Sequence, residues 1–343
     1  MRALELRHPW GTANLRLVEH PDPVPGPGQV VVRMRTASLN YRDSFIAAMG
    51  GYAPNSDATE PVIPLSDGCG VIDAVGSGVT RVAVGDRVAP LFFPHWIAGP
   101  PSEEVLAGAL GAPGGAGVAR ELVLLDQESV SKVPDFLTDQ EVATLPCAAL
   151  TAWRALFVDA DLKAGDSAVL QGTGGVSILG LQLAKAAGLM TIVTSSSDAK
   201  LERARALGAD HLINYRTTPN WSQPVKQATG GRGADFVMEV AGAETLAESM
   251  NAIRRAGHIA IIGVVSNPLS PGPVLSIGQM MGVSAKLQAL MVGSRENFEA
   301  MCRAIELHRI HPVVDKVYPW TEAGEAIEAL RRGEHFGKIV LQF

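Results

Sequence analysis

The sequence predicts an α/β protein in which a doubly wound parallel sheet is joined to a β-rich region. From Ser167 to Val265, short apolar segments alternate with helix-length segments. This alternation is typical of parallel strands with helices on both faces of the sheet. Residues 1–125 instead contain short strand-like segments separated by Pro, Gly and Asp, and are predicted to be mostly β. A chain of 343 residues is long enough for two domains, each with its own core.

The elements follow in chain order from local composition and periodicity. In the β-rich region, strands are predicted at 29–35, 70–75 and 87–91, and a Pro-, Gly- and Ala-rich loop with one helical turn at 94–117. In the alternating region, strands are predicted at 167–171, 190–195, 211–214, 234–240 and 257–263, and helices at 176–187, 198–207, 221–229 and 243–255. A further strand is predicted at 284–292, then a helix at 295–308 and a last strand at 337–341. The chain is therefore expected to build one domain from 1–148 and 293–343, and the other from 149–292.

Composition excludes several classes of partner. The sequence is 47% hydrophobic and 19% charged, as in ordinary globular proteins. A net charge of −6 gives no basic surface for nucleic acid. The sequence has no apolar signal core at its start and no apolar run long enough to span a membrane, so we expect neither nucleic acid nor a membrane as partner. Three scattered cysteines, Cys69, Cys147 and Cys302, form no disulfide framework, which favours a cytoplasmic location.

A glycine-rich turn lies between the first strand and the first helix of the alternating region. It reads Gly172-Thr173-Gly174-Gly175-Val176-Ser177, a Gly-x-Gly-x-x-Ser pattern in which Ser177 replaces the last glycine of the usual fingerprint. Glycines let the backbone approach a phosphate, and the N–H groups at a helix start stabilise its negative charge. In this strand–turn–helix context, the pattern predicts a dinucleotide site.

The second strand of the region ends where such folds bind the adenosine ribose. The chain has Ser195 and Ser196 there, whereas an acidic residue would bind the ribose hydroxyls and repel a 2′-phosphate. Lys200 follows at the junction with the next helix, and Tyr215 follows the third strand. Lys200 could equally be a solvated helix residue.

The order and spacing of several motifs resemble the medium-chain dehydrogenase/reductase superfamily over essentially the whole chain. The matching elements are Pro25-Gly26-Pro27-Gly28-Gln29-Val30, Ser38-Leu39-Asn40-Tyr41-Arg42-Asp43, Val75-Gly76-Ser77-Gly78-Val79, Val84-Gly85-Asp86-Arg87-Val88, Leu150-Thr151-Ala152-Trp153, the glycine-rich turn and Gly337-Lys338. The resemblance implies a Rossmann domain, a GroES-like β-rich substrate domain, a cleft between them, and a dimer or tetramer, of which we expect a homodimer.

The zinc enzymes of this superfamily hold a catalytic metal with a Cys, a Gly-His-Glu element and a second Cys. The matching positions here are Asn40, Leu65-Ser66-Asp67 and Cys147, so one ligand type of three is kept. A single thiolate cannot hold tetrahedral zinc. We therefore predict no metal site, interpret Cys147 as a small buried apolar residue, and place the chain nearest the zinc-free quinone oxidoreductase-like and enone reductase branch.

The resemblance also assigns roles to individual positions. Asn40 matches a residue beside the nicotinamide, although it could instead cap a helix starting at Arg42. Tyr52 matches an aromatic residue of the substrate pocket, where its hydroxyl could bind a carbonyl oxygen or supply a proton, or it could pack as part of a lid. The remaining matches are cofactor contacts: Thr151 behind the nicotinamide, Ser195, Ser196, Lys200 and Tyr215 at the 2′-phosphate, and Gly263 and Lys338.

Together these features predict a zinc-free, NADPH-dependent oxidoreductase that transfers hydride to a quinone or an α,β-unsaturated carbonyl. A zinc-free, NADP-linked alcohol or carbonyl oxidoreductase is the alternative among enzymes. A non-enzymatic NADPH-binding protein of the same superfamily is the alternative from another class. The expected partner is a small carbonyl or quinone substrate.

Overall fold

The computed structural model describes residues 1–51, 60–263 and 277–343, which form two compact units. One unit comprises Met1–Leu150 and Val292–Phe343, and we call it the discontinuous unit. The other comprises Thr151–Met291, and we call it the continuous unit.

The first segment of the discontinuous unit is rich in strands, as composition predicted. Its strands are β1 (Arg2–Leu6), β2 (Leu15–Glu19), β3 (Gln29–Ser38), β4 (Asp67–Val75), β5 (Arg87–Pro90), β6 (Leu122–Asp126) and β7 (Val130–Lys132), and its helices are α1 (Tyr41–Met49), α2 (Glu103–Leu106) and α3 (Asp139–Val142). Alternation along β3 explains its position, because Val32 and Met34 are buried while Arg33 and Arg35 face solvent.

The continuous unit has the predicted alternation of strands and helices. After α4 (Leu150–Trp153), which straddles the boundary, it contains β8 (Ser167–Gln171), α5 (Gly175–Ala186), β9 (Met190–Ser195), α6 (Asp198–Ala206), β10 (His211–Asn214), α7 (Ser222–Ala228), β11 (Ala234–Glu239), α8 (Leu246–Ala252), β12 (Ile253–Ile261), α9 (Ile277–Val283) and β13 (Lys286–Ala289). The strands lie in the order β10-β9-β8-β11-β12-β13, and each neighbouring pair is parallel. This order reverses between β8 and β11, which makes that gap the topological switch point.

The chain then returns to the discontinuous unit through α10 (Arg295–His308), β14 (Val314–Pro319), α11 (Ala323–Arg332) and β15 (Lys338–Gln342). The larger sheet there has the order β14-β15-β3-β4-β5-β7, with β6 also paired to β3. The antiparallel register of β15 on β3 sets Val340 opposite Ser38, next to the start of α1. Gly337 enters β15 at a φ of +85°, and a Cβ there would lie 2.6 Å from the Val313 carbonyl oxygen, so a side chain at this position would clash.

The predicted fold class is confirmed, and most predicted elements lie within a few residues of their observed bounds. One difference lies after α8, because a helix was predicted to 255 and the structure begins β12 at Ile253. Ala256 interrupts this strand with a φ of +56°, so neither strand nor helix periodicity is regular there. Within the described residues, no helix is long and apolar enough to cross a membrane.

Asp235 joins three strands of the continuous unit at their amino-terminal ends. Its buried carboxylate accepts hydrogen bonds from the Ser167 amide and hydroxyl, from both terminal nitrogens of Arg232, and from Arg254 Nε at 2.5 Å. Although burial alone would raise the pKa of this carboxyl, the Ser167 and arginine hydrogen bonds hold the pKa well below its usual range.

We expect Asp235→Asn to destabilise the continuous unit at neutral pH by about 3 kcal/mol, since it replaces several hydrogen bonds to a buried charge with weaker ones to a neutral amide. That loss corresponds to a melting temperature lower by about 6–12 °C. Because the pKa of Asp235 is lower in the folded than in the unfolded protein, its ionised form stabilises the fold above the unfolded-state pKa. This stabilisation is lost progressively as pH falls below that pKa, so the difference in stability between wild type and Asp235→Asn should narrow below about pH 4. Thermal unfolding followed by circular dichroism checks this. The control is Glu202→Gln, which breaks an exposed ion pair with Arg205 in the same unit and should lower the free energy of unfolding by less than about 1 kcal/mol. An equal decrease in both variants would contradict the stabilising role of Asp235.

Candidate functional site

The glycine-rich turn of the continuous unit leaves β8 and starts α5 without a side-chain cap. Gly172 adopts a φ of +73°, and its N–H donates to the Thr194 carbonyl at 2.8 Å. Gly174 is the N-cap residue of α5 and has no side chain to accept from the first-turn N–H groups. A helix start with free N–H groups beside a glycine turn is suited to a phosphate, so these residues fit the pyrophosphate of a dinucleotide.

Ser177, at the third glycine position, does not obstruct this turn. It is buried, and its hydroxyl donates to the Gln171 carbonyl oxygen at 2.5 Å. The side chain therefore folds back onto the end of β8 and closes the turn. A serine can take this position because its hydroxyl donates to a backbone carbonyl nearby.

A buried polar network spans the switch point between β8 and β11. Gln171 Nε2, at the end of β8, donates to Glu239 Oε2, at the end of β11, at 2.8 Å. The same carboxylate accepts the hydroxyls of Ser249 at 2.5 Å and Thr245 at 2.6 Å, and the backbone N–H groups of residues 241 and 242. Glu239 is fully buried, and these donors supply the stabilisation that a cation would otherwise give.

The network holds the loop after β11 in place beside the glycine turn. Gly263, at the end of the described segment after β12, approaches that loop so closely that a Cβ would lie 2.1 Å from the Val240 carbonyl oxygen. The sequence reasoning identified Gly263 but missed Gln171, Glu239, Thr245 and Ser249. The available signal was an acidic residue, Glu239, directly after the apolar run Phe-Val-Met of a predicted strand.

The end of β9 brings together most of the residues predicted at the 2′-phosphate. Ser195 is buried and accepts from the Ser197 N–H, whereas Ser196 is partly exposed. Ser197 is the N-cap of α6, and its hydroxyl oxygen accepts from the Lys200 N–H at 3.4 Å. The Tyr215 N–H donates to the Ser195 carbonyl at 3.1 Å, and its ring is 41% exposed.

An acidic residue that the sequence reasoning did not weigh lies in the same place. Asp198 opens the first turn of α6 and accepts a hydrogen bond from Asn214 Nδ2 at 2.7 Å. Its carboxylate is therefore engaged by the residue before Tyr215. Of the other predicted contacts, Thr151 is buried in α4, and Tyr52 lies outside the described residues.

In the discontinuous unit, Asn40 and Lys338 form a buried contact. Lys338 Nζ, at the start of β15, donates to Asn40 Oδ1 at 2.6 Å and to the Leu39 carbonyl oxygen at 2.5 Å. Both side chains are more than nine-tenths buried. Asn40 is also the residue before α1, and the Asp43 carboxylate accepts its backbone N–H at 2.7 Å. Asn40 thus occupies the capping position of α1 with its backbone and contacts Lys338 with its side-chain amide.

The positions that match zinc ligands are linked to the same pair by hydrogen bonds. Asn40 Nδ2 donates to Ser66 Oγ at 3.4 Å, and the Ser66 hydroxyl donates to Asp67 Oδ1 at 2.5 Å. The other oxygen of Asp67 accepts the Cys147 backbone N–H at 3.0 Å. Burial and the nearby Asp67 carboxylate raise the pKa of the Cys147 thiol. Among the described residues, no group of three or more His, Cys, Asp or Glu side chains is placed to hold a metal ion.

Two further charged side chains complete this cluster. Arg42 is buried, donates to the Leu110 carbonyl oxygen, and lies with its guanidinium 4.4 Å from the centre of the Phe92 ring. Asp43 is 1% or less exposed, and burial raises its pKa to about 6, against the lowering effects of Arg42, the Asn40 N–H and Lys338. The cluster therefore holds a carboxyl that changes charge near neutral pH.

Two family models match the chain over these regions. Residues 26–135 match the alcohol dehydrogenase GroES-like domain, and residues 175–306 match the zinc-binding dehydrogenase domain. A zinc-type alcohol dehydrogenase-like protein of Schizosaccharomyces pombe is 41% identical over 92% of this chain and 91% of its own length. A 2-haloacrylate reductase of a Burkholderia species is 29% identical over 92% of this chain and 91% of its own length.

Solved structures have the same fold over the whole chain. An NAD-dependent alcohol dehydrogenase has a TM-score of 0.89 at 32% identity and covers both chains fully. A mycobacterial protein complexed with NADPH has a TM-score of 0.81 at 26% identity, also with full coverage of both chains. A quinone oxidoreductase of Pseudomonas syringae pv. Tomato has a TM-score of 0.82 at 25% identity, covering 100% of this chain and 99% of that chain.

We expect Asp43 to make the stability of the discontinuous unit depend on pH between about 4 and 7. Its pKa is about 6 in the folded state and usually 3.8, so the folded state binds the proton more tightly. The free energy of unfolding should therefore rise as pH falls through this window, by at most about 3 kcal/mol from this group. Asp43→Asn should remove that rise.

The free energy of unfolding of wild type and of Asp43→Asn is measured across this pH range. The difference between the two proteins isolates the effect of Asp43 from that of other titrating groups. Arg42, Asp67 and Lys338 face the same carboxyl and are present in both proteins. A difference that does not vary with pH would contradict the raised pKa.

Proposed function

Because the chain belongs to the medium-chain dehydrogenase/reductase superfamily and is an oxidoreductase, we propose that it reduces a quinone or an α,β-unsaturated carbonyl with NADPH and without zinc. The observation that carries this proposal is the hydrogen-bonded chain at the positions where zinc enzymes of the superfamily place their ligands. Asn40 and Ser66 occupy two of those positions, and each is engaged by neighbouring side chains.

The residues of this chain do not fit a catalytic zinc ion. Zinc in such a site needs three ligands of thiolate, imidazole or carboxylate type. An amide and a hydroxyl are not among these types, so Asn40 and Ser66 cannot serve as two of the three ligands. Asp67 has the right chemistry, but both its oxygens already accept hydrogen bonds. We therefore assign no step to a metal.

The bound nicotinamide cofactor would supply the hydride, and the protein's groups bind, orient and stabilise charge around the reaction. The glycine turn and the free N–H groups of α5 would hold the pyrophosphate, and the loop held by Glu239 would support it. In reduction of an enone, hydride would add to the β-carbon, the electron pair of the carbon–carbon double bond would form a double bond between the α-carbon and the carbonyl carbon, and the carbonyl π pair would move to the oxygen. Asn40 is the polar group we assign to that developing oxyanion. The α-carbon then takes a proton, for which Tyr52 or water is the proposed donor.

A second candidate function is supported by the names of the relatives. Proteins named alcohol dehydrogenase are among both the relatives by sequence and the solved structures. A zinc-free, NADP-linked oxidation of an alcohol or reduction of a simple carbonyl would use the same cofactor site. It would develop an alkoxide instead of an enolate, and Asn40 would be placed equally well to bind it.

We also propose that the protein is a homodimer, one of the two assemblies that the resemblance implied, and that it is cytoplasmic, as its few scattered cysteines indicated. Among the strands of the described residues, β13 is an edge strand of the parallel sheet, and edge strands can pair with a strand of another chain. Light scattering of the purified protein would give the mass directly, for comparison with 36.1 kDa for one chain.

We expect turnover with NADPH on quinone or enone substrates that persists in the presence of a chelator. A panel of a quinone, an enone, an aldehyde and an alcohol, followed by NADPH absorbance, separates the two candidate functions. Elemental analysis of the same preparation should give no stoichiometric zinc. One zinc per chain together with activity lost on chelation would contradict the metal-free proposal.

We expect NADPH to bind more tightly than NADH, and Lys200 to supply much of the preference. A hydrogen bond to a charged group contributes about 1.5–3 kcal/mol, so Lys200→Ala should weaken NADPH about 10- to 100-fold and leave NADH almost unchanged. Ser195→Asp should weaken NADPH and favour NADH, because a carboxylate repels the phosphate and accepts from the ribose hydroxyls.

Fluorescence titration with each cofactor measures these affinities. Lys226→Ala, on α7 of the same unit, is the control for loss of one positive charge at a distance, and should leave both affinities unchanged. Equal losses for NADPH and NADH in Lys200→Ala would show that the phosphate is bound elsewhere. Asp198→Asn extends the test, since removing this nearby carboxylate should strengthen NADPH.

A further inference from the structure

The buried hydrogen bonds around Asn40 form a chain with one direction. Lys338 Nζ donates to Asn40 Oδ1, Asn40 Nδ2 donates to Ser66 Oγ, and Ser66 donates to Asp67. All four side chains are more than nine-tenths buried, so bulk water does not compete for these bonds. The chain joins residues from the start of β15, the loop before α1 and the start of β4.

The direction is fixed at both ends by chemistry. An ammonium group only donates hydrogen bonds, so Lys338 must face the amide oxygen of Asn40 and not its nitrogen. A carboxylate only accepts hydrogen bonds, so the Ser66 hydroxyl donates to Asp67. The Ser66 oxygen is then left to accept a hydrogen bond from Asn40. The amide of Asn40 therefore has one orientation, with Oδ1 toward Lys338 and Nδ2 toward Ser66.

This arrangement also polarises the amide. A positive charge at Oδ1 draws electron density from the nitrogen, and hydrogen bonds arranged head to tail strengthen one another in a medium of low dielectric constant. Ser66 engages one hydrogen of Nδ2 at 3.4 Å. Among the described residues, the other hydrogen of Nδ2 has no hydrogen-bond acceptor.

We propose that Lys338, Ser66 and Asp67 are positioning residues that orient and polarise the Asn40 amide, so that its second N–H is an electrophilic donor to the substrate carbonyl oxygen. The inference rests on the proposed reduction and names the device that takes the place of a metal ion in it. A Lewis acid stabilises the oxyanion by direct coordination, whereas here the charge of Lys338 acts through the amide.

A merely structural role for Asn40 makes a different prediction for Asn40→Asp. This variant keeps an oxygen for Lys338 and adds an ion pair with it, and its melting temperature is measured first to show that it is folded. It removes the N–H donor and places a negative charge beside the developing oxyanion. We expect kcat to fall about 10²-fold or more, with the affinity for NADPH changed only slightly.

The readout that does not depend on activity is the side-chain amide resonance of Asn40, assigned from its absence in Asn40→Asp. In ¹H–¹⁵N spectra, a polarised N–H is shifted downfield. We expect Lys338→Met, which keeps the length of the side chain but removes the charge and the donor, to move this resonance upfield. Asp67→Asn should move it in the same direction, because an amide at residue 67 can donate to Ser66 and no longer fixes the direction of the chain. Lys316→Met, an exposed lysine of β14, is the matched control and should leave the resonance in place.

Steady-state kinetics of the same variants complete the test. Lys338→Met should lower kcat about tenfold with a smaller change in KM, because the interaction strengthens as charge develops on the substrate. Wild-type turnover in Asn40→Asp, or an Asn40 resonance unmoved by Lys338→Met, overturns the inference. If wild type transfers no hydride to any substrate of the panel, the proposed function fails, and the resonance shifts still decide whether the amide is polarised.

Discussion

The contact between Lys338 and Asn40 is the constraint on which the polar cluster of the discontinuous unit depends. It joins residues 298 positions apart, and each comes from an element fixed by other forces. The register of β15 on β3 places Lys338, and the Asp43 carboxylate places the backbone of Asn40 at the start of α1. A buried ammonium group is tolerated only where oxygen atoms accept its hydrogens. The backbone carbonyl of Leu39 and the amide of Asn40 meet that need.

A second buried charge organises the continuous unit in a different way. Glu239 is surrounded by hydroxyl, amide and backbone donors, without a hydrogen bond to a cation among the described residues. These dipoles are attached to the ends of β8, β11 and α8, so stabilising the carboxylate also fixes the loops at the switch point. The glycine turn is thus held in position from one side by Gln171 and closed by the hydroxyl of Ser177. In both units, a buried charge is satisfied by groups that then have a single arrangement.

The sequence predicted the fold class and most elements because these depend on local periodicity. The strands at 167–171, 190–195 and 211–214 lie at their predicted bounds, since each is a short apolar segment between clear turn signals. The elements that were not predicted are β1, β2, β6, β7, β14, α3, α4, α9 and α11. β2 and β14 are largely exposed, so their sequences lack the strict alternation of a half-buried strand.

A candidate site could be predicted only where its residues lie together in one contiguous segment of the sequence. The glycine turn is contiguous, so its residues could be identified from sequence alone. The chain through Asn40 brings together residues 40, 66, 67 and 338, and no local pattern links positions so far apart. The family resemblance pointed to Asn40 and Lys338 as two unconnected positions. It pointed to Ser66 and Asp67 only as positions that lack the zinc ligands of the family. Their hydrogen bonds depend on side-chain geometry that spacing does not encode.

The central claim is that a hydrogen-bonded chain occupies the place of a catalytic metal. A crystal structure of the NADPH complex, grown with zinc in the medium and measured at the zinc absorption edge, tests this most directly. We expect no anomalous peak near Asn40, Ser66 and Cys147. We also expect Asn40 Oδ1 to lie within hydrogen-bond distance of Lys338 Nζ. An anomalous peak among these three residues, with the Asn40 amide turned away from Lys338, would contradict it.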